Sequence, residues 1–260
     1  MRIPMSAVFK KAIWRFPMLL AASLSCQAQG LLVWSAGAVK PPLEELVPTF
    51  QKSSGIAIEV QYAPVGVLMR RLAEGAHPDV LILSADVVNE VQNKGWSPAG
   101  SASPLGSVGV GLAVKQGAAM PDVSSPEALR QTLLAAKSIT YMDPQKGTSG
   151  KHFAGVLEQL GIADQVRAKT TLGDVGYVLE PVARGEIELG VQQITEILPV
   201  KGAALVGPLP PGLQKITTYS IMQTVKAADL KSAIAFRHFL QTPEATTVFK
   251  LKGFIVEAVN

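Results

Sequence analysis

The stretch Leu31-Leu32-Val33-Trp34-Ser35-Ala36-Gly37-Ala38-Val39-Lys40-Pro41-Pro42 sets the fold. Four apolar residues form a short strand, Ser35 to Ala38 form a turn of small residues, and an amphipathic helix opens at Pro41. A strand, a tight turn and a helix N-terminus bring free backbone N–H groups and the positive end of a helix dipole to one point. Such a point attracts anions.

The residues upstream read as an export signal. Arg2, Lys10, Lys11 and Arg15 stand without an acid, and Phe16 to Ser25 form an apolar run too short to span a bilayer. Cys26-Gln27-Ala28 supplies small residues at positions −3 and −1 of a cleavage site, so residues 1–28 are expected to be removed. Ser23 stands where a lipobox usually has leucine, which favours soluble export over a lipid anchor. The whole chain carries 24 basic and 20 acidic residues, net +4. Four of the basic residues lie in 1–28, so the mature chain is balanced at 20 against 20. The basic character belongs to the signal, and a nucleic-acid partner is not expected. The single cysteine, Cys26, leaves with the signal, which excludes a disulfide, a thiol nucleophile or a thiolate metal site.

Strand-like and helix-like runs alternate along the rest. The strands are expected at 31–34, 56–62, 80–83, 108–114, 138–141, 189–191, 203–206 and 216–222. Helices are expected at 41–53, 68–74, 87–94, 126–136, 150–160, 177–184, 231–241 and 244–251, with Gly55, Gly75, Gly95, Gly161 and Gly185 as terminators. This alternation specifies an α/β fold with parallel sheets covered on both faces. Ligands in such sheets bind at strand C-terminal ends. The loops at Ser35, Ala63–Val65, Ser84–Asp86, Asp143–Ser149 and Gln192-Gln193 all follow strands and are expected to converge on one cleft. Two long strands, Gly106–Val114 and Lys215–Met222, read as crossings between two lobes.

The chain resembles the molybdate-binding-protein-like branch of the type II periplasmic binding proteins. The residues that carry the resemblance are Ser35-Ala36-Gly37-Ala38, Glu74-Gly75-Ala76-His77-Pro78-Asp79-Val80 and Ser84-Ala85-Asp86. Asp143-Pro144, Arg184-Gly185-Glu186 and Leu189-Gly190-Val191 complete the set. The resemblance implies two α/β lobes, each a mostly parallel sheet flanked by helices, with two crossing strands and a ligand between them. Lobe 1 would comprise 29–112 and 216–260, and lobe 2 would comprise 113–215. It also implies a monomer in the periplasm and, for a receptor, an ABC permease as partner.

The departures from that pattern carry the ligand expectation. Binders of a tetrahedral oxyanion use hydroxyls and backbone N–H groups. Ser35 is retained, but the second loop reads Ala63-Pro64-Val65-Gly66 where another serine is expected, and Gln193 replaces a tyrosine. Lys40, Lys146, Thr148, Ser149, Gln192 and Gln193 are offered instead. Lysines and amides suit separated carboxylates, which points to an organic polycarboxylate, a tricarboxylate rather than an oxyanion. A smaller group with this appearance includes bacterial aconitate isomerase, which interconverts cis- and trans-aconitate by moving a proton between carbons. The resemblance implies no cofactor for that chemistry. Lys40, Lys146 and His152 are the candidate proton-transfer groups, provided that a closed cleft lowers a lysine pKa. Ala36, Val65 and Tyr177 join the binding candidates as loop or second-lobe contacts.

Each candidate has a structural alternative. Ser35 could cap the following helix, as could Thr148 and Ser149 for theirs. Lys40 lies in a first helical turn, where a cation opposes the dipole, so a structural role is unattractive there. Lys146 could be a solvated loop lysine, His152 a packed histidine, and Arg70 and Arg71 a solvated helix face. His77 and His238 read as structural, and Asp86 as a helix cap. Adjacent amides such as Gln192 and Gln193 line a cleft or cap a helix.

Other motifs fail. Gly147-Thr148-Ser149-Gly150-Lys151 lacks the first glycine of a phosphate loop, and His152 stands where a magnesium-binding hydroxyl belongs. Three histidines far apart in sequence make a metal site unexpected. The readings left are an exported isomerase of aconitate, and a receptor delivering molybdate or an organic anion to an ABC permease or a sensor.

Overall fold

The computed structural model describes residues 30–174 and 178–256. The expected signal peptide, residues 1–28, and Tyr177 lie outside that range. The first unit is β1 (Leu31–Ala36), a 3-10 turn (Gly37–Val39) and α1 (Lys40–Ser54). Next come β2 (Ile58–Ala63) with α2 (Val65–Ala73), and β3 (Val80–Ser84) with α3 (Val88–Asn93). The long strand β4 (Ser103–Lys115) leads to α4 (Pro126–Ala135), β5 (Ile139–Met142), α5 (Thr148–Gln159), α6 (Ala163–Arg167) and β6 (Thr170–Gly173). Then follow α7 (Glu180–Arg184), β7 (Leu189–Gln193), α8 (Ile194–Ile197) and β8 (Ala203–Pro208). The chain closes with β9 (Ile216–Gln223), α9 (Leu230–Phe239) and α10 (Pro243–Leu251).

The strands run in the order β2-β1-β3-β9-β4-β7-β5-β6, with β8 also on β4. The outer groups are parallel: β1 with β2 and β3, and β5 with β6 and β7. Both groups are built from strand–helix–strand units whose crossovers return the chain to the same end of the sheet. The two crossings are antiparallel neighbours in the middle. The first half of β4, Ser103–Gly109, pairs with β9, and its second half pairs with β7 and β8. Thirteen residues at strand rise are long enough to serve both groups, which is why one strand belongs to two sheets.

Two principal cores follow the same division. Leu43, Leu46 and Phe50 of α1 pack with Phe236 of α9 and Phe249 of α10 under β1 and β3. The Phe50 and Phe236 rings meet edge-on at 5.1 Å. The second core gathers Leu112, Leu129, Ile139, Phe153, Leu157 and Val191. Val108 belongs to the first core and Val110 to the second, so the boundary falls within β4.

The α/β architecture expected from the alternation is present. Gly55 and Gly185 terminate α1 and α7 at φ 73° and 81°, a left-handed conformation that side-chain-bearing residues resist. Three elements were not anticipated, one of them the five-residue helix α6. The strand β6 (Thr-Thr-Leu-Gly) is an edge strand with no buried residue, so it has no apolar signature. The four-residue helix α8 is too short to show periodicity. Asp86 lies inside the 3-10 turn Ala85–Val87, so it is not the cap that its position suggested.

Three helices, α4, α9 and α10, are capped by side chains. Ser125, Asp229 and Thr242 accept hydrogen bonds from the first turns of α4, α9 and α10. Ser125→Ala is therefore expected to lower the unfolding free energy by about 1 kcal/mol. The check is a lower urea midpoint at unchanged slope.

Candidate functional site

Three of the described helices have neither a side-chain cap nor a first-turn acid. These helices, α1, α2 and α5, all begin beside one cavity of about 450 Å³, whose wall includes Lys40, Val65 and Thr148, their first residues. Three dipoles therefore present positive ends to the same space, but their donors differ. Pro41 and Pro42 have no N–H and the Lys40 N–H donates to the Gly37 carbonyl, so α1 contributes its dipole alone. In α2 the Gly66 and Val67 N–H groups donate to the Lys146 and Pro64 carbonyls. This is the arrangement an anion requires.

Three strand-end loops build it: Ala36–Ala38 after β1, Ala63–Val65 after β2, and Gly147–Ser149 after β5. The loops after β2 and β5 also touch each other, where the Gly66 N–H donates to the Lys146 carbonyl at 3.0 Å. The fourth expected loop, Ser84–Asp86, is not part of the wall. The fifth contributes through α8, whose Glu196 reaches the cavity, while Tyr219 enters from β9.

The candidates divide clearly. Lys40, Ala36, Val65, Thr148 and Ser149 line the cavity. Lys40 also lies 3.6 Å from the Glu44 carboxylate and 5.8 Å from the Tyr62 ring centre. Gln192 and Gln193 are fully buried behind the wall. The Gln192 side chain accepts from the Val178 N–H at 3.3 Å, and the Gln193 amide lies 3.3 Å from the Tyr219 hydroxyl. They support the wall and do not form it.

Three candidates lie elsewhere. The Ser35 hydroxyl is buried and donates to its neighbour's carbonyl, Ala36 O, at 3.1 Å, so it caps nothing. Lys146 donates to Asp174 and lies 3.7 Å from Asp143. The Asp174 bond holds its ammonium pKa above the ordinary lysine value, the opposite of what a lysine base requires. The His152 Nε2–H donates to the Leu213 carbonyl at 2.7 Å, and burial lowers its pKa. That histidine ties α5 to the segment before β9 and is not on the cavity wall.

Five wall residues escaped the sequence reading, Tyr62, Met142, Glu180, Glu196 and Tyr219, of which the last two are the most deeply buried polar groups. Glu196 is only 8% exposed. Burial pushes its carboxyl up to about 8, partly opposed by a hydrogen bond from Gln192. Its Oε1 lies so close to Gly37 that a Cβ there would sit 2.6 Å away. Tyr219 is 1% exposed, and burial, reinforced by Glu196, raises its hydroxyl pKa above the ordinary tyrosine value. The Tyr219 hydroxyl is therefore a neutral donor at the site. A lone acid in the apolar run Ile194-Thr195-Glu196-Ile197-Leu198 is the one sequence signal that could have found Glu196.

Among the described residues, no cluster of His, Cys, Asp and Glu is placed to hold a metal ion. No helix among them is long and apolar enough to cross a membrane.

The sequence profile of a family described as bacterial extracellular solute-binding protein matches residues 31–255. Aconitate isomerase of Pseudomonas sp. is 29% identical over 258 residues, covering 97% of this chain and 96% of the relative. Molybdate-binding protein ModA of Escherichia coli (strain K12) is 25% identical, covering 87% and 89%. Among solved structures, the periplasmic molybdate-binding protein of Azotobacter vinelandii aligns with a TM-score of 0.73 at 21% identity. That match covers 88% of this chain and all of the other.

Proposed function

The chain belongs to the bacterial extracellular solute-binding protein family, in its molybdate-binding-protein-like branch, and from that premise we propose that it isomerises trans- and cis-aconitate in the cavity. The observation that carries the proposal is the convergence of three uncapped helix N-termini and Lys40 on a space of about 450 Å³. That volume falls in the range of small-organic-ligand sites and leaves room for several separated carboxylates. The loop at 63–65 offers no hydroxyl for a compact oxyanion, and Gln193 sits behind the wall. The likeness to aconitate isomerase, over nearly the whole of both chains, supports the same ligand class.

The chemistry needs no redox partner. The N-terminal N–H groups of α5, the Lys40 ammonium and the positive ends of the α1 and α2 dipoles bind the carboxylates and stabilise the dienolate that forms when a C–H proton leaves. The Tyr219 hydroxyl donates a further hydrogen bond. In this reading residues 1–28 direct export to the periplasm and the mature protein acts as a monomer. A second reading, favoured by the ModA similarity, is a receptor that hands molybdate or an organic anion to an ABC permease.

Incubation of the mature protein with trans-aconitate, followed by chromatography, separates the two. Appearance of cis-aconitate supports the isomerase, and no conversion at high protein concentration rejects it. Calorimetry against molybdate, tungstate and tricarboxylates then identifies the anion. Lys40→Ala is expected to weaken tricarboxylate binding about tenfold, as loss of one charge-assisted contact does. Unchanged affinity would remove Lys40 from the site.

A further inference from the structure

We propose that Glu196 is the catalytic residue that carries the proton in this isomerisation. The inference rests on the isomerase reading and assigns a role which that reading leaves open.

An acid on the wall of an anion cavity works against binding. As a carboxylate it repels every carboxylate of the ligand, and as a neutral acid it offers a single donor. A receptor built only to hold an anion gains nothing from it. Structural pairing does not explain it either: among the described residues the group that acts on its carboxyl is the uncharged Gln192 amide. The feature becomes intelligible when the group must exchange a proton with the ligand.

The other ionisable wall residues are less suited. Lys40 is half-exposed and beside Glu44, and Glu180 is exposed at the start of α7. Tyr62 and Tyr219 hold their protons more tightly than ordinary tyrosines. Glu196 combines burial, a place at the cavity and proton affinity near neutrality, the combination that proton exchange with carbon requires. Gly37 lies against its Oε1 at the turn that opens α1, so the acid sits beside the anion-stabilising N-termini.

The step balances without a co-reactant. The ionised Glu196 takes a proton from the substrate methylene, and the C–H electron pair enters the allylic system as a dienolate. The neutral acid then returns the proton to the former vinyl carbon. The double bond moves by one position, and the carboxylate is regenerated.

The experiment compares mature wild type with Glu196→Gln and Glu196→Asp, measuring turnover of trans-aconitate, calorimetric affinity for it and melting temperature. Glu196→Gln is expected to lower kcat by about a hundredfold or more, with affinity retained. Glu196→Asp, which keeps the acid but withdraws it by one carbon, is expected to fall between the two. If the wild type turns over and Glu196→Gln matches it, the assignment fails and the isomerase reading stands. If the wild type is inert, both fall together. Should Glu196→Gln melt early, Glu196→Asp decides, and full turnover with an unchanged pH profile in that variant overturns the assignment.

Discussion

Gly150→Ala is expected to destabilise the protein by about 3–5 kcal/mol, among the largest effects a single methyl can have. Gly150 is the third residue of α5, where the helix leaves β5. A Cβ there would lie 1.9 Å from the Met142 carbonyl oxygen and 2.7 Å from its carbon. Both are backbone atoms of a buried strand, so neither can swing aside. The helix would have to move off the sheet, taking Thr148 and Ser149 with it and opening the cavity wall. The same helix contains its own control. A Cβ at Gly155 would meet nothing within 4 Å. Gly155→Ala is accordingly expected to stabilise by roughly 0.5–1 kcal/mol, from helix propensity alone. Urea unfolding of both variants measures the contrast, and calorimetry should show ligand affinity lost in the first and kept in the second. A Gly150→Ala protein as stable as wild type would mean that α5 stands farther from β5 than described.

The fold was readable where local signals agreed. Leu31–Trp34, the small-residue turn and the prolines at the start of α1 all point to strand, turn and helix, and the glycines at 55 and 185 stop helices where left-handed backbone is needed. The site was readable only as far as backbone geometry determines it. Ala36, Lys40, Val65 and Thr148 line the cavity because they end strands or open helices. The loop position of Lys146 says nothing of Asp174, 28 residues away, which the fold brings onto its ammonium. The place of His152 in the chain likewise says nothing of the Leu213 carbonyl, 61 residues on, to which it donates. Gln192 and Gln193 read as loop amides, but β7 runs two residues farther and buries both. Glu196 shows the limit most clearly. In sequence it is an ordinary acid, and only the packing of α8 against β4 and β8 takes it out of water and alters its chemistry.

That altered chemistry has a measurable signature in stability. The Glu196 carboxyl ionises near 4.5 when solvated and near 8 in the fold, because burial penalises its charged form. Between those values the folded protein holds a proton that the unfolded chain has released. Raising the pH through that window therefore favours the unfolded chain. This contribution to stability is fully present below about pH 4.5 and gone above about pH 8, at about 1.4 kcal/mol per unit, roughly 4–5 kcal/mol in all. Other groups also titrate in this range. His77 and His152 have lowered pKa values, so they withdraw stability as pH falls, which is the opposite sign. Both histidines remain in Glu196→Gln, where the neutral amide removes only the glutamate contribution. The expected result is that the stability of wild type minus that of Glu196→Gln declines steadily from pH 4.5 to pH 8 and is level on either side. Urea unfolding at fixed ionic strength across that range provides the curve. A flat difference would mean that Glu196 ionises as a solvated carboxylate, and it would take away the physical ground on which Glu196 can both remove a proton from carbon and give it back.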